Sequence, residues 1–460
     1  MKRIGILTAG GDTPALNATI AGAVHEANRL RIEVVGVIKG FSGLLNPEVP
    51  HVVLNPLFTT IPELDPTRGG TILGASRDYV DGNDTAMIRR VADRLARLKV
   101  EGLICVGGDG TINGMQPLSN FLPVVLAPKT IDNDLGLNYL DEPNEYLREP
   151  NPAAAKGYAY SKRPERDFGL DEMINYVTPG FATAVSVSSA SVERIRTTAE
   201  SHRRIAIVEV MGRDCGMIAL GSAYGQPDMI LIPEAPVAPG PLVERVLSIL
   251  DVQKHALIVT SEGIVDEQGQ SFGSVTAVRD PAGNIQYSGA AEAIKKLLVE
   301  KIGDSFFTRK RRHENADAAI FVRKVGHTQR GGRPILFDRF YGAQIGGKAV
   351  KLLVEGYHNC VATLQFRDGG FVTDGVDANQ LRDRWGAIHY RPVSASFYDP
   401  SRFKPSAKGV EYLQSVFTNA MGLEDVEAAR SIFNTGNIVH PYNSVNVHIN
   451  KRIVKLDLGG

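Results

Sequence analysis

The sequence predicts an α/β protein built on a largely parallel β-sheet, and three observations predict it. Short β-branched apolar runs recur along most of the chain. They do not alternate with polar residues, which is how strands buried on both faces read. Segments of helical period lie between them, and strand alternating with helix is the pattern of parallel sheets. At 460 residues the chain exceeds one ordinary core, so two domains, or one large α/β body with appendages, are expected.

The elements follow in order. RIGILT (3–8) stops at Gly10-Gly11-Asp12, and a helical pattern at 14–29 carries Pro14 near its first turn, where the missing N–H does no harm. EVVGVI (33–38) is the next strand. A helix at 84–99 leads into GLICV (102–106), which leaves through Gly107-Gly108-Asp109, and PVVLAP (123–128) runs into Lys129-Thr130-Ile131-Asp132-Asn133-Asp134. Beyond them come a helix at 180–199, RIAIVEV (204–210), DMILIP (228–233), a helix at 240–253, HALIVT (255–260), a helix at 288–302, AAIFV (318–322) and a helix at 338–355.

Two segments break the rhythm. Residues 137–178 are rich in Pro, charge and Tyr without an apolar period. A long structureless loop in a compact domain is usually functional or disordered. This one reads as a solvated surface excursion or, because it leaves beside Asp134 and rejoins at GFATA (180–184), as a lid or inter-subunit arm. From about 356 the chain turns polar and holds its only tryptophan, Trp385. It reads as a partly helical extension with no chemical signal of its own.

Composition excludes several classes. A hydrophobic content of 43% with 22% charged residues describes a soluble globular chain. The formal net charge of +0 supplies no long-range field toward nucleic acid or an anionic membrane. Cys105, Cys215 and Cys360 are odd in number and far apart, which argues against a disulfide framework and fits a reducing cytoplasm. The apolar run of MKRIGILTAGGD is too short for a signal peptide, and no stretch approaches a membrane span.

The strand exits carry the chemistry. Glycine lets the backbone turn with positive φ and brings N–H groups close to a ligand, and a helix N-terminus favours anions. Gly10-Gly11 before a helix therefore reads as a phosphate cradle, or as an ordinary turn. Asp109 would repel phosphate unless a divalent cation lay between them. Mg²⁺ suits that place, since it takes one or two carboxylates with substrate phosphates and keeps several waters. The alternative is that Asp109 caps the following helix. Asp132 and Asp134 alternate along an extended segment and share a face, one as a general base and one in the metal's outer shell. Arg203, Arg204, Arg213, Arg323, His327 and Arg330 gather at strand ends, and arginine forks match phosphate oxygens.

GGDTPALNA, RGGTILGASR (68–77), GGDGT, PKTIDND, SHRRIAIVEVMGR, IPEAP (232–236) and GHTQRGG (326–332) occur in the order and approximate spacing of the phosphofructokinase family. The resemblance spans roughly residues 1–355 apart from the 137–178 segment. It implies two Rossmann-like three-layer α/β/α domains with a cleft between them. Residues 1–138 with about 334–385 would bind the donor and 179–333 the sugar phosphate, with 139–178 an insertion and 386–460 a C-terminal extension. It also implies glycolytic transfer of a phosphoryl group to the 1-hydroxyl of fructose 6-phosphate with Mg²⁺. By motif, Asp132 resembles the base that takes the hydroxyl proton, flanked by Thr130. Arg213 resembles the residue that stabilises the transferring phosphoryl, and Asp109 the magnesium-linked acid. Gly11, Arg77, Gly108, Gly110 and Thr111 resemble the donor site. Met211, Gly212, Glu234, His327 and Arg330 resemble the sugar-phosphate site, with Arg204 reaching it from a neighbouring subunit of a homodimer or homotetramer. The family commonly has an arginine six residues before the histidine of GHxQRGG. Phe321 stands there in this chain, and Arg323 is the nearest arginine.

Three residues bear on the donor. Within the resemblance, the residue after GGD is a steric gate: glycine leaves room for a nucleotide's α-phosphate, and aspartate selects pyrophosphate. Gly110 and Gly114 therefore favour ATP, whereas Lys129 resembles the pyrophosphate enzymes. ATP is the expected donor and pyrophosphate the alternative. A non-catalytic sugar-phosphate-binding regulatory subunit is the reading from another class, opposed by intact Asp109, Asp132 and Arg213.

Overall fold

All eight apolar runs form strands. In chain order the strands of the computed structural model are Arg3–Thr8 (β1), Glu33–Val37 (β2), His51–Val53 (β3), Leu103–Gly107 (β4), Val124–Pro128 (β5), Tyr146–Pro150 (β6), Tyr158–Lys162 (β7), Ile205–Val210 (β8) and Met229–Leu231 (β9). They continue with Ala256–Ser261 (β10), Ser274–Arg279 (β11), Ile285–Ser288 (β12), Ile320–Lys324 (β13), Cys360–Arg367 (β14), Gly370–Asp377 (β15), Tyr398–Asp399 (β16), Lys404–Pro405 (β17) and Ile453–Val454 (β18). The structure describes residues 1–76, 78, 80–152, 157–279, 285–311, 313–427, 449 and 451–454.

Two sheets organise these elements. The larger has the order β15-β14-β5-β4-β1-β2-β3-β18, and the smaller the order β13-β8-β10-β9. Pairing is parallel from β14 through β5, β4 and β1 to β2, and parallel throughout the smaller sheet. Apart from the edge strand β13, the parallel strands are buried along nearly their whole length, which explains their unbroken apolar reading. The six expected helices are present as Leu16–Arg29, Thr85–Arg97, Phe181–His202, Pro239–Gln253, Ala290–Ile302 and Leu336–Val354.

The helices Leu16–Arg29 and Leu336–Val354 pack backbone to backbone. A β-carbon on Gly22 would stand 1.9 Å from the Ala343 carbonyl oxygen, and one on Gly346 1.9 Å from that of Thr19. Only glycine permits that approach. The two sheets are joined by Asp338. Its buried carboxylate accepts from the backbone N–H groups of Gly180 (2.8 Å) and Thr183 (2.7 Å), at the start of the helix Phe181–His202. Burial raises its pKa despite those bonds.

Two expectations are corrected. The polar stretch after 356 is not merely helical. Cys360–Arg367 and Gly370–Asp377 form an antiparallel hairpin that extends the larger sheet, and among the described residues only Ala407–Phe417 adds a long helix. Nor is 137–178 solvated throughout. Tyr139, Phe168, Met173, Tyr176 and Val177 lie in the main core, and β6 pairs with β7 in a hairpin. Tyr146 of that hairpin stacks on His389 at 3.6 Å between ring centroids, and Arg148 lies over Trp385 at 5.0 Å. The segment lacked a visible apolar period because its buried residues anchor its two ends while the hairpin between them is mostly exposed.

Candidate active site

Three strand exits of the larger sheet converge. After β1, Gly10 turns with φ +77°, its N–H donating to the Ser76 carbonyl at 2.9 Å. Asn17, in the first turn of the next helix, holds the neighbouring glycine loop. Its Oδ1 accepts from Ile72 N at 2.9 Å and its Nδ2 donates to Arg68 O at 3.1 Å. After β4, the Thr111 side chain covers Gly107 so closely that a β-carbon there would stand 2.0 Å from Thr111 Oγ1. Asp109 is half-buried as the first residue of the helix Asp109–Met115. Gly108 occupies the N-cap position and no side-chain cap bond forms, so the capping alternative for Asp109 does not hold. Gly110 is exposed, with nothing within 4 Å of where its β-carbon would sit, whereas Gly114 is buried in the helix.

The exit of β5 brings the acids together. Thr130 Oγ1 accepts from Asp132 N at 3.0 Å, and Asn133 adopts φ +57°. Asp132 is 4% exposed, and its Oδ1 is buried with no hydrogen-bond partner. Burial, with Asp132 and Asp109 nearby, pushes the Asp134 carboxyl up to about 7, against the opposing pull of Arg213. Lys129 is also 4% exposed and donates from Nζ to the Gly11 carbonyl. Burial, reinforced by Arg330, lowers its ammonium to about 7, with Asp12 and Asp132 opposing.

The smaller sheet supplies the cations. Gly212 (φ +147°) and Arg213 (φ +52°) turn the chain after β8, and Arg213 N donates to Glu262 Oε1 at 3.2 Å. Burial first, and Asp132 among the rest, raise Glu262 to about 7. Arg330 approaches from the turn after β13, its Nη1 at 3.5 Å from the Asp12 carbonyl. Met211 N donates to Gln329 Oε1 at 2.9 Å, and Gln329 Nε2 donates to Ser188 at 2.8 Å. Asp109, Asp132, Asp134 and Lys129 of the larger sheet thus meet Arg213 and Arg330 of the smaller one at the carboxyl ends of strands, where open α/β sheets hold ligands.

Gly11, Asp109, Lys129, Thr130, Asp132, Arg213 and Arg330 are brought together. Several other expected residues stand apart in different ways. Glu234 turns its carboxylate to backbone, accepting from Gly216 N (3.0 Å) and Val393 N (2.7 Å), and burial raises it to about 7. His327 and Arg323 are exposed, and Arg323 lies over the Phe321 ring at 5.6 Å. Arg204 precedes β8 and Met211 follows it, so a strand of roughly 20 Å separates Arg204 from the cluster within one chain. Arg77 lies outside the described residues. Among the described residues no group of three or more His, Cys, Asp or Glu side chains is arranged to hold a metal by itself.

Sequence reasoning missed Glu262, Gln329, Asp338 and Arg391. Glu262 had a signal, because Ser261-Glu262-Gly263 is another acid-and-glycine strand exit. Gln329 sits inside the GHTQRGG motif, but it bridges the Met211 N–H to the Ser188 hydroxyl.

The phosphofructokinase family model matches residues 3–139 and 171–353. An ATP-dependent 6-phosphofructokinase of Natranaerobius thermophilus is 33% identical over 359 residues, covering 77% of this chain and 87% of that one. A pyrophosphate–fructose 6-phosphate 1-phosphotransferase of Amycolatopsis methanolica is also 33% identical, over 371 residues, covering 80% of this chain and 91% of that one. The solved structure of a pyrophosphate-dependent phosphofructokinase from Nitrosospira multiformis shares the fold with a TM-score of 0.68 at 17% identity, over 92% of both chains. The family match takes in β1 to β5, β8 to β13 and every residue of the converging cluster, and on that ground the chain belongs to the phosphofructokinase family.

Proposed function

We propose that this chain transfers the terminal phosphoryl group of ATP to the 1-hydroxyl of fructose 6-phosphate, giving fructose 1,6-bisphosphate. The observation that carries the reading is the meeting of Asp109, Asp132 and Asp134, with Lys129 beside them, and Arg213 and Arg330 of the opposite sheet. Asp132, buried with an unpartnered Oδ1, takes the proton as the hydroxyl oxygen bonds to phosphorus and the bond to the leaving phosphate breaks. Arg213, its backbone fixed by Glu262, stabilises charge on the transferring group. Lys129 supplies a cation on the leaving-group side. Little covalent chemistry is asked of the protein, and positioning and electrostatics do most of the catalysis.

Asp109 would hold Mg²⁺, with Asp132 and Asp134 beside it. When bound, the ion neutralises charge on the donor phosphates. The raised Asp134 with Asp132 and Asp109 nearby, the open side of Gly110 and the all-oxygen donor set support that assignment.

Gly11, Gly108, Gly110, Thr111, Gly114 and Arg77 form the donor site in this reading. Met211, Gly212, Glu234, Arg323, His327 and Arg330 form the sugar-phosphate site. Residues 1–138 with about 334–385 bind the donor and 179–333 the sugar phosphate, with 139–178 an insertion and 386–460 an extension. Arg204, remote from the cluster in its own chain, serves the site of a neighbouring subunit in a cytoplasmic homodimer or homotetramer.

Pyrophosphate as donor is the second reading, favoured by the buried Lys129 at the Gly11 carbonyl. Purified protein with fructose 6-phosphate and Mg²⁺, offered ATP and pyrophosphate separately, decides between them. Turnover with ATP is expected. Turnover with pyrophosphate alone would replace the first reading by the second, and turnover with neither would favour a regulatory subunit.

A further inference from the structure

Arg391 is 1% exposed and lies beyond the family match, which ends at 353. Burying a charge is expensive unless it is well hydrogen-bonded. The guanidinium is surrounded by backbone carbonyls. Nη1 donates to Asn175 O at 2.7 Å and, at 3.5 Å, reaches Ile174 O. Nη2 donates to Asn133 O at 2.8 Å and to Tyr176 O at 3.3 Å. The backbone N–H of Arg391 donates to Asp134 O at 2.6 Å. Consecutive carbonyls of the acid-bearing turn are therefore both held by one residue, more than 250 positions downstream.

Tyr412, in the helix Ala407–Phe417, adds a second hold. Its hydroxyl accepts from Asn133 Nδ2 at 2.7 Å and donates to Tyr176 O at 2.9 Å. Asn133 Oδ1 accepts from Thr178 N at 2.9 Å. Asn133 needs this support because its φ of +57° is uncommon for a residue with a β-carbon. The fit is close: a β-carbon on Gly136 would stand 2.9 Å from Arg391 Nη1. On the opposite side of the turn, Asp132 has only its backbone bond to Thr130 and an Oδ1 without a partner. The direction of its carboxylate is set by the backbone beneath it.

We propose that Arg391 and Tyr412 are positioning residues for phosphoryl transfer, holding the Asp132–Asp134 turn from behind. The segment 386–417 is then a working part of the acceptor site and not an appendage. The proposal rests on the reading of Asp132 as the group that takes the hydroxyl proton. A displacement near 1 Å at a reacting group costs on the order of 10²-fold in rate. Lysine keeps the cation but cannot reproduce the planar fork that reaches several carbonyls at once.

The test compares Arg391→Lys and Tyr412→Phe with the unaltered protein, measuring steady-state kinetics and amide hydrogen exchange across 130–136 without substrate. Arg391→Lys is expected to lower kcat by about 10–100-fold and Tyr412→Phe by about 10-fold, each with KM for either substrate changed less than about threefold. Exchange across 130–136 should quicken in both. Should Arg391→Lys fail to fold, Tyr412→Phe, which removes only a hydroxyl, carries the test. Folded variants with unchanged kcat and unchanged exchange across 130–136 would overturn the proposal. So would a lowered melting temperature with kcat per folded molecule unaltered, the signature of a purely structural role. Asp132→Asn run in parallel separates the two readings. Normal kcat there refutes the proton-acceptor role and with it the catalytic half of the proposal, while exchange still decides whether the turn is held.

Discussion

Arg330 Nη1 lies 2.8 Å from the point that a β-carbon on Gly11 would occupy. The donor-side turn and the arginine of the opposite sheet thus share one space, and glycine at 11 is what leaves it to the guanidinium. Gly11→Ala is expected to displace the flexible end of Arg330 without disturbing the fold. Thermal unfolding should move by no more than a few degrees, while kcat/KM for fructose 6-phosphate falls at least about 10-fold, near 1.4 kcal/mol of lost transition-state stabilisation. Unimpaired kcat/KM would mean that the guanidinium is not needed where it stands.

Asp132→Asn keeps the shape of the side chain and removes the proton acceptor. Loss of a general base typically costs about 10²–10⁴-fold. The expected result is a fall of that size in kcat with fructose 6-phosphate affinity little changed, read by steady-state kinetics and equilibrium binding.

Gly110 faces open space, so Gly110→Asp should fold. The new carboxylate would crowd and repel a nucleotide's α-phosphate while leaving room for a shorter donor. ATP-dependent kcat/KM is expected to drop at least about 10²-fold, near 2.7 kcal/mol. Activity with pyrophosphate should persist or appear, since Lys129 is already in place. Equal loss with both donors would show that position 110 does not discriminate between them.

Glu262 is 7% exposed, and burial raises its pKa from 4.5 to about 7. Because the folded-state value is the higher one, the folded chain binds this proton more tightly. Its stabilising contribution is complete below about pH 4.5 and is lost as the pH rises through 7, an effect of up to about 3 kcal/mol. Glu262→Gln keeps an oxygen for Arg213 N and removes the titration. Melting temperatures at pH 5 and pH 8 should therefore differ less in the variant than in the parent protein. An unchanged difference would place the titration elsewhere.

The parallel strands were legible because burial on both faces forces an unbroken apolar run, as in Leu103–Gly107 and Ile205–Val210. The hairpin of Cys360–Arg367 and Gly370–Asp377 was missed although it carried a local signal. Asp368 and Gly369 form its two-residue turn with φ +51° and +76°, the Asp-Gly pattern of tight hairpins. Its second strand is an edge strand with a largely unburied, polar face, and that polarity masked the period. At the site, Asp109 and Arg213 were readable beside glycine at strand ends, and Asp132 in an acid-rich strand exit. Arg391 was not. Its partners are peptide carbonyls, which every residue owns, so no pattern of side-chain types marks it.

The bond from Asn133 to Tyr412 spans 279 positions of the chain. On a ribosome adding about 5–20 residues per second, the Asp132–Asp134 turn would wait roughly 15–55 s before its last support emerges. Through most of that interval the larger sheet lacks β14 and β15, and β5 is left as an open edge. The carboxylates of that turn gain their final setting only after Tyr412 is made, so a chain that stops short of it carries the sequence motifs of the site without its geometry.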